Sequence, residues 1–150
     1  MEGKILELIA VMMNEMVREA GKGVPSLKLS REDAISFKQV KEILDQRFLE
    51  PVTISGLAKL VYINESKLKA GFKQMYGDTI YHYIVERRLE KARQLMDGKM
   101  KVKDVAAIVG YTNISHFSAA FRKKFGVNPG EYLRSSRQTG QYRQQKTGGT

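Results

Sequence analysis

The sequence contains no cysteine. Without thiols there is no disulfide, no thiolate metal site and no cysteine nucleophile. Histidine is nearly absent too: His82 and His116 lie far apart in sequence with no supporting cluster of ligands, so neither a metal nor a cofactor is expected. No Ser/His/Asp constellation or glycine-rich phosphate loop is present, so no catalytic residue is assigned and the chain does not read as an enzyme. No apolar run reaches the ~18 residues of a membrane span. The N-terminus carries Glu2, Glu7, Glu15 and Glu19 without a small-residue cleavage site, which does not read as a signal peptide. These absences point to a soluble protein of a reducing compartment, expected to be cytoplasmic and without a membrane partner.

What is abundant is positive charge. The 150 residues hold 26 Lys+Arg against 16 Asp+Glu, a formal net charge of +10. The excess is uneven. Residues 1–97 carry 16 basic and 14 acidic side chains, whereas residues 98–150 carry 10 basic and only 2 acidic. Such a block attracts polyanions by counterion release.

Apolar residues recur with helical period almost throughout, and no stretch alternates as a strand would. A first helix is predicted over 3–20, with Ile5, Leu8, Ile9, Met12, Met13, Met16 and Val17 on a wide apolar face, ending at the breaker Gly21–Ser26. Ser30 opens a second helix with Asp33 in capping-box position. Ala34, Ile35, Phe37, Val40, Ile43, Leu44 and Phe48 form its apolar face, and Pro51 prevents its continuation. Further helices are predicted over 53–61, 64–76, 79–97, 102–109 and 113–125. Asn64 caps the second of these, and Gly77, Gly98 and Gly126 stand where helices end. Asn128-Pro129 starts a short helix to about Arg134. The segment 136–150 has almost no apolar content and reads as a disordered basic tail.

Two of the helix pairs repeat. Leu57-Ala58-Lys59-Leu60-Val61-Tyr62 corresponds to Val105-Ala106-Ala107-Ile108-Val109-Gly110, and Leu68, Phe72, Tyr76 and Gly77 correspond to Phe117, Phe121, Phe125 and Gly126. The second copy has one extra residue at the turn. A small residue (Ala58, Ala106) allows close helix crossing. A turn follows four positions later, where Gly110 fits without a Cβ penalty and Tyr62 would be strained at positive φ. The next helix buries residues four apart and leaves its outer face for a groove. This is the helix-turn-helix pattern, twice. The fold expected is all-α: two helix-turn-helix motifs joined by a long linker helix, plus an N-terminal amphipathic helix. A plain helical-hairpin core gives the same pattern.

Gly110-Tyr111, Ser115-His116-Phe117-Ser118 and the run Phe121–Tyr132 resemble the signature of AraC/XylS-type transcription regulators, and Arg88–Met96 resembles that family's central helix. The resemblance covers residues 34–134. It implies a DNA-binding domain over 32–135, preceded by a helix and linker over 1–31, and a bacterial-type regulator, an activator in contact with RNA polymerase. Asn64–Lys73 is similar to the subgroup that controls siderophore and iron-uptake genes. Tyr62 departs from the family's glycine. Many relatives carry a large N-terminal sensor domain ahead of the DNA-binding part, whereas residues 1–31 precede it here; helix 3–20 is a remnant of such a domain or a homodimer contact.

The family's base-facing positions fall on Ser66, Lys69 and Ala70 in the first motif and on Ile114, Ser115, His116, Ser118 and Ala119 in the second. Lys67, Lys73, Arg122, Lys123 and the amide at the start of helix 113–125 are the expected phosphate contacts. Lys69 can donate to guanine, the serines read weakly, and Ile114, Ala70 and Ala119 offer only apolar contact, for example to a thymine methyl. Phe72, Tyr76, Phe117, Phe121, Phe125 and Tyr132 recur at helical spacing as core. Arg87 and Arg88 are expected to pair with Glu86, Glu90 or Asp78. A linker helix of 18 residues spans ~27 Å against ~34 Å for a turn of B-DNA, which predicts a bipartite duplex site of about 20 base pairs. Two other readings stand beside this one. A DNA-alkylation-repair enzyme with a related module needs a reactive cysteine, which is lacking. A general nucleic-acid-binding or protein-interaction module without sequence preference fits the scarcity of Arg, Asn and Gln at the base-facing positions.

Overall fold

The computed structural model describes residues 27–147, with side chains described through residue 139. Among the described residues there are seven helices and no strand: α1 (Arg31–Arg47), α2 (Ile54–Leu60), α3 (Glu65–Tyr76), α4 (Ile80–Asp97), α5 (Val102–Ile108), α6 (Ile114–Phe125) and α7 (Pro129–Thr147). None of them is long and apolar enough to cross a membrane. The expected helix over 3–20, and any dimer made through it, lies outside the described residues.

Local chemistry sets the helix ends. Ser30 and Asp33 form a reciprocal capping box, Asp33 N–H donating to Ser30 Oγ at 3.1 Å and Ser30 N–H to Asp33 Oδ2 at 3.0 Å. Asn64 Oδ1 accepts from Lys67 N–H at 2.7 Å. Asn113 Oδ1 accepts from the N–H groups of Ser115 and His116. At the other ends Gly77 (φ 74°) and Gly126 (φ 80°) take the left-handed conformation and close α3 and α6 onto Lys73 O and Arg122 O.

The chain divides into two compact units. One comprises the described residues up to Lys41 with Ile54–Ile80; the other comprises Glu42–Thr53 with the described residues from Tyr81 onward. In the first, Phe37 and Val40 of α1 are buried, as are Leu57, Ala58 and Val61 around α2 and Leu68 and Phe72 of α3. In the second, Leu89, Ala92 and Met96 of α4 form a core with Val105, Ala106, Val109, Phe117, Phe121 and Leu133. The aromatic residues are structural here: Phe121 lies 4.5 Å from Phe125 and 5.7 Å from Tyr132, ring centre to ring centre.

Both motifs make the same turn. Tyr62 N–H donates to Lys59 O and Ile63 N–H to Ala58 O; forty-eight residues on, Gly110 N–H donates to Ala107 O and Tyr111 N–H to Ala106 O. The extra residue, Thr112, falls between this turn and the Asn113 cap. The turn demands positive φ in each copy, 57° at Tyr62 and 88° at Gly110. Tyr62 is 96% exposed, so no burial of its ring offsets the left-handed backbone. Tyr62→Gly should therefore stabilise the protein by about 1 kcal/mol, the left-handed penalty less glycine's entropy. Urea denaturation reads this directly. A loss of stability would mean that the tyrosine makes a contact that the strain argument omits.

The structure corrects three expectations. Ile35, placed on the apolar face of the second helix, is 56% exposed; the inward stripe of α1 narrows to Phe37, Val40 and Leu44. α4 ends at Asp97 with Gly98 just past it, as expected, and the left-handed residue that follows is Lys99 (φ 66°): Lys99 N–H closes on Met96 O and Met100 N–H on Leu95 O. Arg87 pairs with Asp45 at 3.3 Å, and Arg88 donates to backbone carbonyls rather than to a carboxylate. The segment 136–150, read as a disordered tail, instead continues the helix from Pro129 as far as Thr147. Its Gln and Arg residues are good helix formers. The hydroxyls of Ser135 and Thr139 bond back to Glu131 O and Ser135 O. A low apolar content limits burial, not helicity.

Candidate nucleic-acid interface

Once each motif has buried its inner face, the outward face of its second helix is fixed. On α3, Leu68, Gly71 and Phe72 point inward, leaving Ser66, Lys69, Ala70 and Lys73 exposed. On α6, Phe117 and Phe121 point inward; Ile114, Ser115, His116, Ala119, Arg122 and Lys123 are exposed and Ser118 is half-buried. Each motif thus gathers its sequence-assigned residues on a single helix.

Four cations differ in availability. Lys67 is held by Asp33 at 2.9 Å. That contact, with the hydrogen bond from Ser30, keeps the Asp33 carboxyl below its usual value. Lys124 is drawn onto Glu86, with Glu90 at 3.7 Å. Arg122 and Lys123, by contrast, stand on the exposed surface of α6. Of the amides at the start of α6, Asn113 takes those of Ser115 and His116.

His116 does more than face outward. With Ala120 and Lys123 it edges a groove of about 870 Å³ whose other walls include Tyr81, Arg88 and Tyr111. The Tyr111 hydroxyl is pushed above its ordinary value by burial, and secondarily by Tyr81. His116 thus lies on the exposed face of α6 at the edge of this groove.

Two supporting contacts escaped the sequence reading. A Cβ on Gly71 would lie 2.1 Å from Phe37 Cζ, so the ring of α1 sits directly on the backbone of α3. Arg88 Nε donates to Phe48 O at 2.7 Å and Arg88 Nη2 to Glu50 O at 3.2 Å, and its guanidinium underlies Gly110, where a Cβ would come within 2.8 Å of Nη1. The one available signal for Gly71 was a glycine between Leu68 and Phe72 in mid-helix, where an ordinary helix would be better served by alanine.

Residues 57–135 match a family model described as a helix-turn-helix domain. A solved AraC family transcriptional regulator from Rhodopseudomonas palustris shares the fold with a TM-score of 0.64 at 28% identity, over 68% of this chain and 97% of that one. The chain belongs to the AraC-type helix-turn-helix family. Among curated AraC-type relatives, a protein named as an AraC-like transcription regulator in Streptomyces antibioticus is 37% identical over 81 residues, covering 53% of this chain and 27% of that protein. The transcriptional regulator LumQ of Photobacterium leiognathi is 29% identical over 94 residues, 62% of this chain and 38% of LumQ. The chain thus spans well under half the length of these relatives. The AraC-type family is one of DNA-binding regulator domains rather than of enzymes.

Proposed function

We propose that this chain reads double-stranded DNA through α3 and α6, each lying in a major groove, as the DNA-recognition part of a transcription regulator. The observation that carries this reading is the duplicated geometry. Two motifs share the same turn hydrogen bonds and an Asn-capped second helix, and each second helix turns small, polar and basic side chains to solvent. Ser66, Lys69 and Ala70, with Ile114, Ser115, Ser118 and Ala119, face the bases; Lys73, Arg122 and Lys123 hold phosphates. Lys67 reaches a phosphate by exchanging it for Asp33, and His116 contacts the backbone from the groove flank. The site is bipartite and about 20 base pairs long, matching two major-groove segments one turn apart. The protein acts in the cytoplasm as an activator alongside RNA polymerase, and residues 3–20 supply a homodimer contact. The similarity of Asn64–Lys73 to siderophore regulators makes iron-uptake genes the targets to test first.

A second reading has an observation in its favour: apart from Arg122, no Arg, Asn or Gln stands among these exposed positions, and those are the residues that make bidentate base contacts. A general nucleic-acid binder would look similar. Selection of duplexes from a random pool at physiological salt separates the two. Two unequal enriched blocks about one turn apart support the bipartite reader; salt-sensitive binding without enrichment supports the general binder.

Within the specific reading, Lys69→Ala and Lys123→Ala should behave differently. Lys69→Ala should relax preference at one position of one block, at a cost of about 1–3 kcal/mol against the best sequence. Lys123→Ala should weaken all duplexes alike and reduce the salt slope by about one. Titrations with the selected and scrambled duplexes at several salt concentrations measure both. Identical behaviour of the two variants would overturn the division between reading and anchoring.

A further inference from the structure

The repeat allows the two recognition helices to be compared position by position. Aligned through the Asn64 and Asn113 caps, Ser66 matches Ser115, Ala70 matches Ala119, and Lys73 matches Arg122. These pairs are chemically alike, so they cannot make the two halves of a site differ much. The first positions are opposites: Glu65 starts α3 and Ile114 starts α6. Lys69 against Ser118 and Lys67 against His116 are the other contrasts, but Ser118 is half-buried and Lys67 is held by Asp33, whereas Ile114 is 46% exposed.

Ile114 is poorly placed for any role in the fold. The inward face of α6 is already supplied by Phe117 and Phe121, and a branched apolar side chain stands in water in the first turn of the helix. Its neighbours do not make that turn an anion site, because Asn113 Oδ1 takes the Ser115 and His116 amides. In a major groove the one apolar feature on the base edges is the C5-methyl of thymine. Resting on the DNA-reading function proposed above, we infer that Ile114 recognises thymine by covering this methyl, and that this contact gives the α6 half of the site a base preference that Glu65, its counterpart, cannot give the α3 half.

The test uses the full chain and the duplex recovered by selection, with Lys69→Ala identifying the α3 block. Each thymine is replaced in turn by deoxyuridine, which removes only the methyl and leaves pairing intact. The native protein should lose about fourfold in affinity at one or two thymines of the α6 block, the worth of a buried methyl group, and nothing at thymines of the α3 block. Ile114→Ala, at an exposed position that leaves the core untouched, should bind thymine and deoxyuridine duplexes equally. Ile114→Val should keep part of the discrimination. An α6 block without thymine, tolerance of deoxyuridine throughout, or sensitivity that persists in Ile114→Ala would overturn the inference. Failure to enrich any duplex would instead overturn the DNA-reading function on which it rests.

Discussion

Gly71→Ala should destabilise the first motif by about 2 kcal/mol, although it places a better helix former in mid-helix. In an exposed helix the change would gain about 1 kcal/mol. Here the added Cβ would lie 2.1, 2.6 and 2.9 Å from three atoms of the Phe37 ring. Phe37 is fully buried, so the ring cannot swing into solvent, and Gly71 lies between the buried Leu68 and Phe72. Relief must come from separating α1 and α3, and overpacking of this kind costs about 1–3 kcal/mol or more. The clash outweighs propensity. Under the proposed function the shift matters because α3 carries Ser66, Lys69 and Ala70; moving it should weaken the block assigned to Lys69 more than the other. Denaturation midpoints, with and without Phe37→Leu, provide the measurement. Phe37→Leu opens a cavity and is harmful alone, yet it should reduce the cost of Gly71→Ala. A raised midpoint for Gly71→Ala would show that the helices are not in contact at this glycine.

That contact illustrates what a sequence discloses and what it withholds. The Ser30 and Asp33 capping box, the Asn64 cap and the Gly77 and Gly126 terminators are local: each joins residues within four positions of one another, so residue type and spacing suffice. The duplicated motif was legible because buried side chains recur at one spacing in both copies. The outward faces of α3 and α6 followed by subtraction, as whatever those helices did not bury, whereas the base and phosphate roles given to residues on them came from the family resemblance. Contacts that depend on distant partners were not legible. Nothing local ties Gly71 to Phe37, Lys67 to Asp33, or Lys124 to Glu86. The last two pairings matter to the site, because each engages a lysine that charge counting alone would assign to a polyanion. Arg88 was misread for the same reason. Acidic neighbours on its own helix suggested an ion pair, whereas the actual partners are carbonyls of the segment that follows α1.

The second motif depends on a different kind of fit, and Gly110→Ala should cost more than backbone strain alone. At φ 88° any side chain is strained, by about 1–3 kcal/mol. The matching turn in the first motif tolerates this at Tyr62, whose ring projects freely into solvent. At Gly110 a Cβ would also meet Arg88, 2.8 Å from Nη1 and 3.3 Å from Cζ. The guanidinium cannot retreat cheaply, because Nε and Nη2 are committed to Phe48 O and Glu50 O, and hydrogen bonds from a charged donor are worth about 1.5–3 kcal/mol. Adding strain and displacement, Gly110→Ala should lose about 3 kcal/mol. It should also move the start of α6, and with it Ile114 and Ser115. The coupling is testable by a double-mutant cycle. Arg88→Ala removes the obstacle along with its own bonds, so in that background Gly110→Ala should cost only the φ term. Arg88→Lys should not replace the native residue, since a single ammonium lacks the planar fork that serves two carbonyls while lying flat beneath the turn. Equilibrium denaturation of the four proteins gives the interaction energy. Additivity within about 0.5 kcal/mol would mean that Arg88 and Gly110 act independently, and that the second recognition helix owes its placement to the Phe117 and Phe121 core alone.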